Sequence, residues 1–279
     1  MSESMLHIEH KGSAGMEYLV IKIGGSVMEK VPFSFYKDLV KMKVQHGVQP
    51  VLVHGGGPNI SSHLELMKIQ SPFINGIRKT TEPVLQVVEM ILSGSMNKEI
   101  VRNIIKAGGN AFGLSGVDGM LLEAKLLESE VDLGHVGEIV SVNQAILQQL
   151  AASEMIPVVS PVAVDRLGQS YNINADSAAA AIAKALHASL CIVTDVDGVF
   201  VNDKVIPAIS DLEANRLIEN ETITGGMIPK VQAAFQTLKE GVKEVVILNG
   251  ASEQILSDFI QGKGVGTTFN LKEAMKNIG

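Results

Sequence analysis

The chain has 279 residues, 46% hydrophobic and 4% aromatic, with no tryptophan, one cysteine and a formal net charge of −7 at pH 7. That length can bury a substantial core as one large domain or two joined lobes, while the negative charge argues against a long polyanion such as nucleic acid as a partner, because phosphate backbones are held mainly by clustered Lys and Arg; a single nucleotide can still be held locally. The lone cysteine, Cys191, sits in an apolar run; it excludes an internal disulfide framework, reads as core filler and fits a reducing, cytoplasmic compartment.

Residues 1–17 are polar and lack the apolar stretch of a secretory signal, and Met16 reads as a natural start behind an expression remnant. Beyond them, β-branched apolar runs alternate with helical patterns, the sequence form of repeated βαβ units. In chain order the pattern predicts a strand at 18–23, a helix at 34–45, a strand at 50–54, and helices at 60–67, 84–92 and 98–106. The glycine-rich stretch 108–140 reads as hairpins or an irregular sheet edge instead of another βαβ unit. A helix at 143–152, a strand at 156–159, a helix at 177–186 and a strand at 190–194 follow. Helices at 212–219 and 231–239, a strand at 244–248 and a helix at 253–260 complete the pattern.

With Val, Ile, Leu, Ala and Gly dominant, the expected fold is α/β, a three-layer αβα sandwich around a mainly parallel open sheet. Residues 18–187 and 188–279 are expected to form two lobes joined without a flexible tether. No uncharged apolar segment reaches about 18 residues, so no membrane span is expected.

Two strands end in glycines. VIKIGGS places Lys22 inside an apolar strand, where an amine is costly unless it meets an anion, and follows it with Gly24 and Gly25. VLVHGGGPNI ends in Gly55, Gly56 and Gly57 directly before a helical pattern, which lets backbone N–H groups approach an anion at a helix N-terminus. Two such loops point to one shared crevice at the strand ends, although each alone also reads as a tight turn. In YNINADSAAAAIAKAL, Asp176 precedes an Ala-rich helix, where a carboxylate by itself reads as a cap or a match to the helix dipole. In TITGGMIPKVQAA, Lys230 stands at a helix start, where a cation opposes the dipole and implies an anion nearby.

Familiar fingerprints fail. Gly262 and Lys263 are followed by Gly264 and not by the Ser or Thr of a P-loop, and Ile60 stands where GxGxxG needs its last glycine. The seven histidines lack zinc-ligand spacing, and Asp195 and Asp197 begin a calcium-loop pattern that is not continued, so no metal site built from protein ligands is expected.

In order along the chain, VIKIGGS, VHGGGP, NGIRKTT, EMILSGSMNKEIV, GHVGEIVSVN, YNINADSAA, TDVDGVF and GGMIPK follow the arrangement of acetylglutamate kinases, and GKGVGTTF extends the similarity to Phe269. The chain thus resembles that branch of the amino acid kinase family. The resemblance implies transfer of the γ-phosphoryl group of MgATP to the side-chain carboxylate of N-acetyl-L-glutamate, the second step of arginine biosynthesis, with Mg2+ held mainly by the nucleotide phosphates. It implies that Lys22 and Lys230 stabilise the transferring phosphoryl group, that Asp176 binds and orients both lysines, and that Gly24, Gly25, Gly56 and Gly57 supply backbone donors. Arg78 would grip the substrate α-carboxylate, Asn172 would help to hold the amino acid, and Gly56 and Gly57 would line its other side.

The same resemblance places the nucleotide at 195–200 and 222–227, hence at Asp195, Val196, Gly198, Gly226 and Met227, in the C-terminal lobe. The amino acid falls to the N-terminal lobe, together with a homodimer contact through the helix at 84–92, for which burial within its own subunit is the alternative. Members inhibited by arginine carry an extra N-terminal helix that links dimers into hexamers, and residues 1–17 look too short and irregular for one. Thr81 and Val117 stand where many relatives have Asp and Lys. These departures leave the substrate more open than the reaction type: a kinase for another carboxylate, such as an aminoadipate derivative, and a catalytically silent nucleotide-binding protein are the rival readings.

Overall fold

β1 (Glu17–Ile23) lies inside the main sheet, paired in parallel on both sides, and its alternation feeds two cores. Val20 faces one core, and Leu19, Ile21 and Ile23 face the other. Because both faces are covered, the strand is an apolar run from Leu19 to Ile23 that only Lys22 interrupts. The structure, a computed structural model, describes residues 16–271; the expectations for the N-terminal extension up to residue 15 lie outside the described residues.

The chain continues through α1 (Phe33–His46), β2 (Val48–His54), α2 (Gly57–Leu66), a hairpin of β3 (Phe73–Ile74) and β4 (Ile77–Arg78), and α3 (Glu82–Glu89). A π-helical stretch, Met90–Met96, joins α3 to α4 (Asn97–Lys106) without a break. Next come β5 (Ala111–Ser115), β6 (Leu122–Leu126), β7 (Gly137–Val142), α5 (Gln144–Ala152), β8 (Ile156–Ser160), β9 (Val162–Val164), β10 (Ser170–Asn172) and α6 (Ala175–Ala185). The remainder holds β11 (Ser189–Thr194), a hairpin of β12 (Phe200–Val201) and β13 (Lys204–Val205), β14 (Ala208–Ser210), α7 (Asp211–Glu219), α8 (Met227–Lys239), β15 (Val245–Asn249), α9 (Ile255–Ile260) and β16 (Thr267–Asn270).

The eight-stranded sheet runs β14-β16-β15-β11-β1-β2-β8-β5, with every neighbouring pair parallel except β15 and β16. Helices α6 and α8 share the core on one face, and α1, α4 and α9 the core on the other, which gives the three-layer αβα fold expected from the sequence. A smaller sheet, β10-β9-β6-β7, packs through β7 against α6.

The long elements stand within a few residues of their predicted places, but 108–140 differs. β5 is a parallel edge strand beside β8, so the parallel winding does extend into this stretch, and only β6 and β7 form an antiparallel pair. The segment AFGLS has no β-branched residue, and its strand state comes from pairing with β8 instead of propensity. The two helices predicted at 84–92 and 98–106 are likewise one run. Ser93, Gly94 and Ser95 read as a break, yet the chain stays helical there by widening its turn. The widened turn carries Leu92 and Met96 against the loop after β2, where a Cβ on Gly56 would fall 2.4 Å from Met96 Sδ.

A buried polar cluster fixes the base of that loop. Asn97, wholly buried, donates through Nδ2 to the carbonyls of Val158 (2.8 Å) and Leu114 (3.3 Å), and the same atom lies 3.4 Å from His54 Nε2. Nδ1 of His54 meets the Gly55 carbonyl at 3.1 Å; with the proton on Nδ1, Nε2 is left to accept, so the ring fits its surroundings only when neutral. Burial pulls the His54 pKa down from 6.5 to about 4, against a small upward effect of the Gly55 hydrogen bond. Between those values the unfolded ring binds more protons than the folded one. The stability tied to this group is therefore complete above pH 6.5 and is lost as pH falls toward 4, a change on the order of 3 kcal/mol. Urea unfolding at pH 7.5, 5.5 and 4.5 is expected to show a steeper acid loss in the wild type than in His54→Gln, and equal slopes would contradict a neutral buried His54.

Candidate active site

In a doubly wound sheet the ligand crevice lies beyond the carboxyl ends of the strands, where neighbouring connections diverge. Here that point is between β1 and β11: β1 leads outward to β2 on one side, and β11 leads to β15 on the other. Lys22 lies near the end of β1, opposite Val53 of β2 and Ile192 of β11. Its ammonium group reaches Asp176 Oδ1 at 2.8 Å, with the lysine side chain 14% exposed and that of the aspartate 54%.

Asp176 is free to make this contact because another residue caps its helix. The Asn174 side chain accepts from the backbone N–H groups of Asp176 (2.8 Å) and Ser177 (3.2 Å) at the start of α6. The capping function that the sequence offered to Asp176 thus falls to Asn174, whose place in NINAD was its signal.

The loops after β1 and β2 touch backbone to backbone. A Cβ on Gly25 would fall 2.7 Å from the Gly56 nitrogen and 2.9 Å from the Gly57 nitrogen, so only glycine permits this approach. Beside the loops opens a cleft of about 530 Å³, whose lining includes Lys22, Gly25, Gly56, Gly57, Arg78, Asn172 and Asp176. Ile77, Val136 and Ile173 contribute an apolar wall. A second groove, of about 640 Å³, runs between β7, α6 and α8 and meets the first at Asp176 and Ser177.

Arg78 is 7% exposed. Its guanidinium donates to the Gly57 carbonyl (3.1 Å), Ser61 Oγ (2.6 Å) and Ser71 Oγ (3.4 Å), and lies 4.5 Å from the Phe73 ring centroid. Burial lowers its pKa, but a guanidinium remains a cation at any physiological pH. Among the described residues no carboxylate pairs with Arg78, so a largely buried cation with neutral partners faces the cleft. Such a group accepts an anion readily. Ser61, Ser71 and Phe73 carried no signal in the sequence beyond standing near NGIRKTT.

Lys230 lies in the first turn of α8, beyond the capping position of Gly226, and its ammonium group is 3.5 Å from Asp195 Oδ1. Asp195 follows β11 directly; its own backbone N–H, then the Thr194 hydroxyl and Lys230, hold its carboxyl below the ordinary range. Asp176 therefore meets Lys22 and not Lys230 in this structure. Gly24, Asp195, Val196, Gly198, Gly226, Met227 and Lys230 stand outside the lining of the 530 Å³ cleft. Gly24 donates to the Val193 carbonyl at 3.3 Å, which ties the ends of β1 and β11, and the turn at Gly198 packs on Thr267, whose hydroxyl accepts from the Val199 N–H at 2.8 Å.

A family model described as the amino acid kinase family matches residues 17–249. An acetylglutamate kinase from Oceanobacillus iheyensis is 42% identical to this chain over 92% of it and 98% of the relative. Another acetylglutamate kinase, from Kosmotoga olearia, is 45% identical over 89% of each chain. Among solved structures, smu.665 from Streptococcus mutans UA159 matches with a TM-score of 0.71 at 29% identity, covering 83% of this chain and 94% of that one.

The contact between the two glycine loops is open to direct test. Gly25→Ala forces its Cβ into backbone and is expected to cost about 2–3 kcal/mol, a melting temperature lower by roughly 5 °C. Gly57→Ala, whose Cβ would meet nothing within 4 Å, should leave the melting temperature nearly unchanged in the same calorimetric scan.

Proposed function

The chain belongs to the amino acid kinase family, and we infer that within it the chain transfers the γ-phosphoryl group of ATP to the side-chain carboxylate of N-acetyl-L-glutamate. The product is N-acetyl-L-glutamyl 5-phosphate, an acyl phosphate, formed in the second step of arginine biosynthesis. The observation that carries this reading is the pairing, in one cleft, of a carboxylate-seeking cation, Arg78, with a lysine and twin glycine loops suited to phosphate.

A carboxylate oxygen of the substrate attacks the γ-phosphorus as the bond from that phosphorus to the ADP oxygen breaks. The nucleophile has a reference pKa of about 4.3 and is already ionised at neutral pH, so no general base is required. The obstacle is repulsion: two unit charges about 4 Å apart at an effective dielectric of about 20 oppose each other by roughly 4 kcal/mol, and the phosphates carry several. Lys22 and Lys230 offset that charge from two sides, and Asp176 holds Lys22 in place by the 2.8 Å contact. Backbone N–H groups of Gly24, Gly25, Gly56 and Gly57 add neutral donors around the phosphoryl group. Arg78 takes the α-carboxylate, and Asn172 holds the amino acid beside it.

Among the described residues, no group of three or more His, Cys, Asp or Glu side chains is placed to hold a metal. Mg2+ carried mainly by nucleotide phosphates keeps its waters and needs few protein ligands. Bound in that way, the ion would neutralise further phosphate charge.

The lining of the substrate cleft runs from Lys22 to Ser177, which supports assigning the amino acid to the lobe 18–187. The ATP base and ribose then fall to 188–279, at Asp195, Val196, Gly198, Gly226 and Met227. Among the described residues no helix is long and apolar enough to cross a membrane, and a cytoplasmic homodimer is the assembly that fits a biosynthetic enzyme of this family. Val84, Leu85, Val87 and Val88 of α3 are buried inside their own subunit. A homodimer contact through this run would use its outer side and the open edge of β5, where Met90, Ile105 and Phe112 are exposed.

Trapping the product with hydroxylamine across N-acetylglutamate, glutamate, aspartate and aminoadipate should give hydroxamate with N-acetylglutamate first. Lys22→Ala and Lys230→Ala are each expected to lower kcat by roughly 10²- to 10³-fold. Preference for another acid would make the chain a kinase of that acid, and ATP binding without any hydroxamate would make it a silent nucleotide-binding protein. Light scattering should return twice the 29.7 kDa chain mass.

A further inference from the structure

Arg78 and Asn172 come from segments far apart in the chain, yet a ligand gripped by both needs them at a fixed separation. One side chain connects them. Thr80 is fully buried and absent from the lining of the cleft, so it stands behind the residues that face it. Its Oγ1 donates to the Arg78 carbonyl at 2.9 Å and accepts from Asn172 Nδ2 at 3.0 Å.

The donor and acceptor directions follow from chemistry alone. A carbonyl only accepts, so the single hydroxyl proton goes to Arg78, and the Asn172 amide must present its NH2 to the remaining lone pair. That fixes which way the amide faces. Its Oδ1, which has no hydrogen-bond partner among the described residues, is the atom left to accept from a ligand N–H.

The Thr80 backbone is held as firmly as its hydroxyl. Its N–H donates to the Leu133 carbonyl at 2.8 Å, and its own carbonyl accepts from the His135 N–H at 2.6 Å. The His135 carbonyl in turn accepts from the Asn172 N–H at 2.9 Å, so the segment 133–135 is laced between Thr80 and Asn172. Gly134, at φ +67°, makes this possible: a Cβ there would fall 2.2 Å from the Thr80 carbonyl oxygen.

We propose that Thr80 is a positioning residue whose buried hydroxyl sets the spacing of Arg78 and Asn172 and the orientation of the Asn172 amide, and thereby the affinity for the acylated amino acid. The proposal rests on the kinase reading above and extends it to a residue outside the cleft. Losing the hydroxyl leaves a carbonyl and an amide unpaired on the substrate side only, and the phosphoryl side, at Lys22 and the glycine loops, keeps its contacts.

Steady-state kinetics on Thr80→Val, of nearly the same shape without the hydroxyl, is the test. The KM for N-acetyl-L-glutamate should rise about tenfold, while the KM for ATP and kcat change less than about threefold. Thr80→Ser should return the KM to within about twofold of wild type. On an Asn172→Ala background, Thr80→Val should add less than about twofold, because the partner it orients is gone. A merely structural role would lower the melting temperature, move both KM values together and multiply with Asn172→Ala, and any of these kinetic results overturns the proposal. If Thr80→Val does not fold, Thr80→Ala removes the same hydroxyl and must show the same split, and a Thr80→Ser enzyme with a KM as high as that of Thr80→Val or Thr80→Ala would overturn the proposal by itself. An active wild type with an unmoved Thr80→Val refutes this inference alone, whereas a wild type that phosphorylates no acid in the panel refutes the kinase reading and this inference with it.

Discussion

Lys22 stands in a strand whose neighbours on both sides and both faces are apolar, and much of the surrounding geometry follows from the need to meet that charge. An ammonium group left unpaired there would be costly, so negative charge has to arrive at the end of β1. Asp176 supplies it only because α6 begins directly after β10, with Asn174 taking over the cap. The alanines of α6 complete the arrangement. Ala178, Ala179 and Ala183 are fully buried in the same core as Val20, Val51 and Val53, and such small side chains let the helix lie close enough to the sheet for a carboxylate in its first turn to reach the strand.

Each of the two candidate lysines has a separate carboxylate, Asp176 for Lys22 and Asp195 for Lys230. Both carboxylates are 54% exposed, and ion pairs with an exposed partner hold their members only loosely. A phosphate chain carries more charge than either carboxylate and offers more acceptor oxygens. It can therefore compete for both cations without first paying to expose an unpaired buried charge. In the proposed reaction the lysine pairs would be resting contacts, which keep the cations oriented and partly neutralised until a denser anion reaches them.

How much of this was legible in the sequence depends on whether a feature is local. β1, β2 and their glycines are contiguous in sequence, so VIKIGGS and VLVHGGGPNI each mark a strand that ends in a glycine turn. The edge strand β5 was not legible, because its five residues have weak strand preference and are held by β8, more than 40 positions away in the chain by the register Ala111 to Ile156. The π-helical stretch reads as a gap in the sequence, since Ser-Gly-Ser is a breaker locally and only packing of Leu92 and Met96 on the glycine loop explains its persistence. Thr80 shows the same limit at the site itself. Its neighbours Lys79 and Thr81 look no different on paper, and its distinction is a hydrogen bond to a residue 92 positions away.

The two ends of the cleft are built on different principles. Arg78 has neutral partners, a nearly buried guanidinium and an aromatic face beneath it, so its full charge remains available to an anion in the cleft. Lys22, beside the glycine loops, is instead paired with the exposed carboxylate of Asp176, and Lys230, outside the lining of the cleft, with that of Asp195. Preorganisation lowers the cost of binding where the geometry is rigid, while catalysis needs interactions that strengthen only as charge moves. In the reaction proposed above, a rigid grip by Arg78 and a re-pairing of the two lysines would meet those two demands separately.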